Sequence, residues 1–287
     1  MSELATTVMD TTPVDLARAA KIEAAEALAW TDLYAAAPPD FAEAAGLGTR
    51  EVAGARVLSW KASGRRYFSR VIGLGVIAPA TEQALESILR DYQQGGITMF
   101  LLQLLPHCQP ARYEAWLRAS GLAPFDAQDR IVRGDEPLVA LPDALTEADL
   151  VVERVTAETA DEWAEFLQRV YRLDTGGWLQ ALIGRPGWHQ YVARRDEQIV
   201  AARAMHIGQQ RIAWLGMDGP VPGLTTDDYA PDAAICAAIV TDGLILGARA
   251  IIADIEAPAN TMDTPAYEHF ARLGFSRPYV RTHYARI

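Results

Sequence analysis

Residues 211–240, RIAWLGMDGPVPGLTTDDYAPDAAICAAIV, decide the fold of this chain. The first seven residues, RIAWLGM, are short and apolar, as in a buried strand, and the last ten residues are the start of an apolar helix. A polar loop joins the two. A helix that opens beside a strand end can bind anions with its free N–H groups, so this segment predicts a ligand site at the helix start. Pro231 and Asp232 are unusual residues for such a site.

The rest of the second half fits around this segment. Upstream we predict a strand, two helices and three antiparallel strands, and downstream a strand, a helix and a last strand. The longer upstream helix has an apolar stripe and a predicted capping box from Thr159 to Glu162. The stretches are LVVERV (150–155), TADEWAEFLQRVYRL (159–173), GGWLQALIG (176–184), HQYVARRDEQIVAARAMHIGQQRIAWLGM (189–217), RAIIADI (249–255), TPAYEHFARLG (264–274) and RPYVRTHYAR (277–286).

The first half has a similar order. A helix is predicted from Pro13 to Ala36, with Thr12 as its N-cap, and a shorter one from Asp40 to Ala45. Strands and helices then alternate in ARVLSWKA (55–62), RYFSRVIGLGV (66–76), TEQALESILRDYQQGG (81–96), TMFLLQLLP (98–106), ARYEAWLRASG (111–121) and DRIVRG (129–134). YEAWLRASGL (113–122) and YEHFARLGF (267–275) resemble each other, which suggests duplication of one unit.

Composition restricts the kinds of partner. The 287 residues carry a net charge of −11, so binding to nucleic acid or to an anionic membrane is disfavoured, and a small molecule or a protein is the expected partner. The N-terminal residues lack the pattern of a secretory signal, and we expect a cytoplasmic protein. The acidic, aperiodic stretch 134–149 predicts a linker between domains at residues 1–140 and 150–287.

Residues 150–287 resemble the GNAT superfamily of N-acetyltransferases, on the order of their elements and on the wording GRPGWHQYVA, AWLG and YEHFARLGF. The first half resembles the degenerate N-terminal partner of tandem members. The resemblance implies an α/β (α+β) fold of two tandem GNAT-like domains, each a mixed, mostly antiparallel sheet flanked by helices. It also implies acetyl-CoA as the cofactor of a conventional member.

In this chain, the stretch that corresponds to the family's phosphate-binding loop lacks the glycines and arginines of that loop. Where tandem members resemble Tyr-Arg-Gly-Arg-Gly-Ala-Gln, residues 229–235 read YAPDAAI. Pro231 has no N–H to donate, and we expect the Asp232 carboxylate to face an incoming pyrophosphate. No cofactor is therefore expected; under the alternative of an acyl-CoA enzyme, the cofactor-binding residues would be Met217, Gly219, Tyr229, Ala233 and Ala234.

The residues that the family uses for chemistry are also altered. The position of the usual tyrosine general acid is Phe270, which cannot donate a proton, and a frequent asparagine corresponds to Asp263. Tyr267, one turn earlier, is the substitute candidate, with a packing role as the alternative. Asp218 interrupts an apolar strand and is a candidate general base, with a solvated turn residue as the equal alternative.

Three further residues have weak signals. His189 and His206 lie on neighbouring strands and could approach each other, but a metal site needs more ligands, so surface or edge histidines are expected and no metal is predicted. Cys236 lies in the first turns of the helix, where a thiolate can be stabilised. Asp232 opposes that effect, so a small core residue is expected.

Three hypotheses follow. The first is a tandem GNAT-fold protein that has lost standard acetyl-CoA chemistry and acts as an accessory or ligand-binding or protein-binding protein. The second is a divergent CoA-dependent N-acyltransferase for a small-molecule amine. The third is transfer from an aminoacyl donor, which the acidic charge disfavours if the donor is bound to tRNA.

Overall fold

The fold comes from a computed structural model that describes residues 9–138, 149–220, 228–256 and 265–286. The chain divides into two compact units. The N-terminal unit comprises residues 13–129, 176–178 and 279–287, and the C-terminal unit comprises residues 1–12, 130–175 and 179–278. The predicted linker, residues 134–149, lies largely outside the described residues.

Helices and strands alternate along the chain. The helices are α1 (Leu16–Ala35), α2 (Pro39–Ala45), α3 (Glu82–Gln94), α4 (Tyr113–Ala119), α5 (Ala160–Tyr171), α6 (Ala230–Ile245) and α7 (Pro265–Arg272). The strands are β1 (Leu47–Val52), β2 (Ala55–Trp60), β3 (Arg70–Ile72), β4 (Leu101–Leu104), β5 (Ala123–Arg133), β6 (Leu150–Arg154), β7 (Trp188–Arg195), β8 (Gln198–Ile207), β9 (Ile212–Gly219), β10 (Ala250–Glu256) and β11 (Ser276–Ala285). Both β5 and β11 have residues in each unit.

Each unit contains a mixed, mostly antiparallel sheet. In the N-terminal unit the strand order is β1-β2-β3-β4-β11, with β3 and β4 parallel and the other pairs antiparallel. In the C-terminal unit the order is β10-β9-β8-β7-β6, with β9 and β10 parallel and the others antiparallel. The mixed α/β architecture predicted from the sequence is thus confirmed.

The two units repeat one order of elements. In each, antiparallel strands lead into a strand, a helix, a parallel strand and a second helix. These are β3, α3, β4 and α4 in the N-terminal unit, and β9, α6, β10 and α7 in the C-terminal unit. The similar stretches YEAWLRASGL and YEHFARLGF fall on α4 and α7. The repeated sequence therefore marks equivalent helices.

Two helix starts differ from the sequence prediction. α1 begins at Leu16 rather than Pro13, because the Asp15 side chain, not Thr12, accepts the hydrogen bond from the Arg18 N–H at 2.7 Å. The capping box on α5 is absent. Thr159 makes no side-chain cap, and Glu162 instead binds the Arg194 guanidinium, with Nη2 and Oε2 2.6 Å apart.

A buried charged layer lies between α1 and the sheet of the N-terminal unit. Glu23 and Glu26 project from α1 and are fully buried, as is Arg281 on β11. The Arg281 guanidinium binds both carboxylates, and Arg70 on β3 lies 3.5 Å from Glu26. The Tyr279 hydroxyl donates to Glu23 at 2.8 Å. Two buried anions are thus balanced by two buried cations, which is the condition for tolerating charge in an interior.

Each unit has its own apolar core. In the C-terminal unit, α6 and α7 pack into one cluster with residues of β7 to β10, which includes Leu215, Ala253 and Ile255. In the N-terminal unit, α3 and α4 pack into the equivalent cluster with β2, β3 and β4. No helix in the described part of the chain is long and apolar enough to span a bilayer.

Candidate functional site

The two parallel strands of the C-terminal unit separate along their length. β9 and β10 pair over three positions, with Ala250, Ile251 and Ile252 opposite Ile212, Ala213 and Trp214. Both strands then continue, β9 to Gly219 and β10 to Glu256, without further pairing between them. We call this opening, between residues 215–219 and 253–256, the wedge. The two strand segments that border it do not pair with each other.

A β-bulge lies at the end of β9. The register with β8 shifts between Ala202 and Ala204, opposite Gly216 to Gly219. Met217 has a left-handed φ of 55°, which an unbranched side chain adopts only where the surroundings hold it. The bulge therefore turns the last residues of β9 away from regular pairing.

The bulge brings together three of the predicted site residues, Met217, Asp218 and Gly219. A Cβ on Gly219 would lie 2.7 Å from the Cγ1 of Val170 on α5, so only glycine fits there. The Tyr171 hydroxyl donates to the Asp218 carbonyl at 3.0 Å and fixes the backbone. The Asp218 carboxylate remains 31% exposed. The strand end is held rigidly while one carboxylate still reaches solvent.

The start of α6 offers few N–H groups. The Ala230 N–H donates to the Asp228 carboxylate at 3.2 Å, and Pro231 has no N–H. The Ala233 N–H is bonded to the Tyr229 carbonyl at 3.0 Å. Of the N–H groups in the first turn, that of Asp232 is not occupied by either of these bonds. An anion cradle normally uses several such groups, so this helix start is a poor phosphate site.

Asp232 does not face the loop. Its carboxylate is buried, with the residue 7% exposed, and accepts from Arg203 Nε on β8 at 2.9 Å. Arg203 Nη2 also lies 3.5 Å from Asp218. The expectation that Asp232 would face an incoming pyrophosphate was wrong, because the buried guanidinium of Arg203 requires a carboxylate and draws it inward. Asp228 is the acid that stays exposed, paired with Arg195 at 3.0 Å. Asp227 lies outside the described residues.

A cavity of about 220 Å³ lies beside this helix start. Among the described residues, its charged lining is Arg195, Asp228 and Asp232, and its other walls are Val200, Ala201, Pro220 and Pro231. Arg195 is paired with Asp228 there, so these residues do not give the cavity the positive character of a diphosphate site.

Cys236 lies one turn beyond Asp232 and is fully buried. Burial raises the pKa of its thiol well above the usual value, and the neighbouring Asp232 carboxylate, 3.8 Å away, adds to that effect against the opposing charge of Arg203. A thiol in this state is a poor nucleophile. Cys236 is a core residue, as the sequence predicted.

The remaining predicted residues of α6 and α7 lie close to the core. Ala233 is buried and Ala234 half-buried in the first turns of α6, with Tyr229 at the N-cap. Tyr267 and Phe270 on α7 belong to the apolar cluster that also contains Leu215, Ala253 and Ile255. α7 therefore packs beside the unpaired part of the wedge. Asp263 lies outside the described residues.

His189 and His206 do not come together. Trp188 is opposite His206 in the β7–β8 register, so His189, the next residue, points to the other face of the sheet. His206 packs on the Trp188 ring at 4.9 Å between centroids, and His189 Nδ1 accepts from Arg154. Among the described residues no group of three metal-ligating side chains is present.

Two residues of this region, Arg203 and His269, were not predicted from the sequence. Arg203 is the single charge within the apolar strand AARAMHI, and that interruption was the available signal. His269 is 7% exposed, and neither ring nitrogen has a hydrogen-bond partner. Burial, together with the charges of Arg203 and Arg272, lowers the pKa of His269 to about 3. The imidazole is therefore neutral at physiological pH.

This lowered pKa predicts a pH dependence of stability. An unfolded histidine takes up a proton below its ordinary pKa of 6.5, whereas folded His269 does not do so until about pH 3. The free energy of unfolding should fall as pH decreases through this range, by about 1.4 kcal/mol per pH unit. Between about pH 7 and pH 5, the free energy of unfolding measured with urea should fall by about 2 kcal/mol more in wild type than in H269F. Equal losses in the two proteins would contradict the assignment.

No protein-family model matches the sequence, and neither does any curated protein. Solved structures do match. A GCN5-related N-acetyltransferase from Kribbella flavida aligns with a TM-score of 0.61 at 15% identity, covering 93% of this chain and 94% of that chain. Another from Sphaerobacter thermophilus aligns with a TM-score of 0.54 at 14% identity, covering 80% and 79%. The predicted resemblance is thus confirmed at the level of fold: this protein has the GCN5-related N-acetyltransferase fold, and its chain divides into two compact units.

Proposed function

We propose that the C-terminal unit has lost conventional acetyl-CoA binding and that the protein acts as an accessory or ligand-binding protein built on an acyltransferase fold. The observation that carries this proposal is the start of α6, where Pro231 lacks an N–H and Asp228 occupies that of Ala230. A diphosphate placed there would meet few donors and an exposed carboxylate. The partner is a small molecule or a protein, and the net charge of −11 disfavours nucleic acid and anionic membranes.

The test is calorimetric titration of the full chain with acetyl-CoA. We expect no binding in wild type, and a thermal scan should show no ligand-dependent stabilisation, because a bound ligand in about 100-fold excess over its Kd adds about 2.7 kcal/mol. Tight binding of acetyl-CoA to the wild-type protein would refute the proposal.

A variant designed to gain acetyl-CoA binding makes the test more specific. The double variant D228A/P231G frees the Ala230 N–H, adds an N–H at position 231 and releases Arg195 from its pair with Asp228. It should acquire measurable affinity for acetyl-CoA. Asp232 is kept in this design because Arg203 depends on it. E165Q, at an exposed position on α5, is the matched control and should stay without affinity.

The wedge favours a second candidate function, a divergent CoA-dependent N-acyltransferase acting on a small amine. Under this alternative the strand edges hold the cofactor and Asp218, at the bulge, is the general base, with Tyr267 as the candidate acid. Release of free thiol from acetyl-CoA in the presence of an amine panel would establish it. Loss of that release in D218N, with folding intact, would assign the base.

A further inference from the structure

We propose that the N-terminal unit binds a small organic monocarboxylate in a cavity between the β1–β2 hairpin and the end of α3. The cavity has a volume of about 360 Å³, within the usual range of about 300–1,000 Å³ for small-molecule sites. We call it the hairpin cavity; among the described residues its charged lining is Arg50, Lys61 and Asp91. The inference goes beyond the proposed function, which concerns the start of α6, and does not depend on it.

The pairing of β1 with β2 places the lining residues on one face of the hairpin. Gly48 is opposite Ser59, and Arg50 is opposite Val57. Residues opposite each other in an antiparallel pair share a face of the sheet. Val57 belongs to the same apolar cluster as Tyr92 of α3, so α3 covers this face. The two strands therefore present a guanidinium, a hydroxyl and a glycine toward α3.

Three glycines keep the hairpin cavity open, namely Gly46, Gly48 and Gly95. Gly46 has a left-handed φ of 61°, and a Cβ on it would lie 2.9 Å from the Cβ of Lys61. A Cβ on Gly48 would lie 3.2 Å from Ser59 Oγ. Glycine weakens a strand, and within a strand it often marks a place where a ligand or another backbone approaches closely. The space in front of Gly48 is the cavity, so a ligand can approach the β1 backbone there.

The Lys61 ammonium is a cation that pairs with no carboxylate among the described residues. It is one of two lysines in a chain with 24 arginines, so lysine is an unusual cation for this protein. Its stem packs on Gly46, and Nζ lies 3.5 Å from the position of a Cβ on Gly96. The guanidinium groups of Arg50 and Arg56, in contrast, each pair with an acid. Lys61 is therefore the cation that an anionic ligand group can engage.

The charges of the hairpin cavity favour a ligand with a single negative charge. Arg50 and Lys61 supply two cations, and Asp91, which lies against Arg50, supplies one anion. A carboxylate would balance the excess positive charge. A phosphate dianion would bring a second negative charge toward Asp91 and toward the negative end of the α3 dipole. The cavity is therefore better suited to a carboxylate than to a phosphate.

The other walls favour an apolar body for the ligand. Val57, Tyr92 and Ile97 line the cavity beside the charged groups. The Tyr92 hydroxyl donates to the Leu58 carbonyl at 2.8 Å, so the ring rather than the hydroxyl is available to a ligand. Small-molecule sites typically combine apolar walls with a few polar groups that fix orientation. The ligand class is a short aliphatic or aromatic acid, with its carboxylate at Lys61.

A purely structural role for Lys61 is the alternative. The ammonium lies near the C-terminal end of α3, where a cation stabilises the helix dipole. Under this alternative, Lys61 would stabilise the free protein and the cavity would take up no acid. The two roles therefore predict different results for ligand binding and for the melting temperature of a variant without the charge.

The test is an NMR titration of the ¹⁵N-labelled full chain with acetate, hexanoate and phenylacetate. We expect hexanoate or phenylacetate to bind with a Kd below about 1 mM, and the main-chain N–H signals of Gly46, Gly48 and Gly95 to shift with that Kd. The neutral amide of the better acid should bind about tenfold more weakly, and inorganic phosphate no more tightly than acetate. Failure of all three acids to bind would overturn the inference, as would equal binding of the acid and its amide or shifts confined to other residues.

Three variants test the assignment of the site. K61M should weaken binding of the better acid about tenfold at an unchanged melting temperature. K21M, which removes the chain's other lysine at an exposed position on α1, is the matched control and should bind as wild type does. G48V should abolish binding, because its side chain fills the cavity while valine remains suited to a strand. A lower melting temperature of K61M with unchanged acid binding, or wild-type binding by folded G48V, would contradict the proposal.

The acid titration and the acetyl-CoA titration have separate outcomes. Tight binding of acetyl-CoA to the wild-type protein would refute the proposed function and would not affect the carboxylate site. Failure of the acids to bind would overturn the carboxylate site alone and leave the proposed loss of acetyl-CoA binding intact.

Discussion

Replacing Glu26 by Gln should destabilise the N-terminal unit by about 3–5 kcal/mol, the usual cost of breaking a buried ion pair from one side. Glu26 is fully buried and lies against both Arg281 and Arg70. In E26Q, Glu23 still pairs with Arg281 at 3.4 Å. The two buried guanidinium groups of Arg281 and Arg70 would, however, both lose the Glu26 carboxylate. Urea unfolding followed by circular dichroism measures the loss.

The control for this prediction is a pair of similar chemistry at the surface. Arg169 and Glu165 on α5 are both largely exposed and 4.0 Å apart. E165Q should leave the unfolding midpoint close to that of wild type, because water replaces the lost interaction. Equal urea-unfolding midpoints for E26Q and E165Q would show that the buried charged layer does not contribute to stability.

Replacing Asp232 by Asn should destabilise the C-terminal unit by about 3 kcal/mol. Among the described residues, the change leaves Asp218, which is partly exposed and 3.5 Å away, as the carboxylate partner of the buried Arg203. R203M should cost a similar amount, since it leaves Asp232 buried without its cation. The double variant R203M/D232N removes both charges and should recover about 0.5–3 kcal/mol relative to the sum of the single variants.

If the unfolding free-energy changes of the two single variants added up strictly to that of the double variant, Arg203 and Asp232 would not interact. D228N is the matched control, because Asp228 pairs with Arg195 at the surface, and it should cost less than about 1 kcal/mol. The cycle also bears on design. An arginine introduced at position 232 would place two guanidinium groups together, so a design that adds anion-binding groups should change positions 228 and 231 instead.

The elements of this fold were predictable because their signals are local. The apolar stripe of α5, the helical stretch 81–96 that contains α3 and the three antiparallel strands before the loop are each defined by a few consecutive residues. The helix starts at Pro13 and Thr159 were predicted less well. At the first, the Asp15 carboxylate is the cap acceptor in place of Thr12. At the second, the Arg194 guanidinium donates to Glu162 and draws it away from the cap.

The site was only partly predictable, because its decisive contacts are not local. Met217, Asp218 and Gly219 could be found since they interrupt an apolar strand. The pairing of Arg203 with Asp232 joins residues 29 positions apart on different elements, and no spacing rule reveals it. His269 was missed because its significance lies in the absence of a hydrogen-bond partner, which only packing can show.

The buried charged layer of the N-terminal unit has a consequence for biosynthesis. Arg281 and Glu26 are separated by 255 residues, so the guanidinium leaves the ribosome long after the carboxylate that it binds. Until then, α1 holds two carboxylates with no complement from β11, and β4 lacks the strand that pairs with it through Thr282 and Leu104. The N-terminal unit is therefore completed only after residues 130–278 have been translated, which favours slow closure and exposes the N-terminal unit to chaperones in the interval.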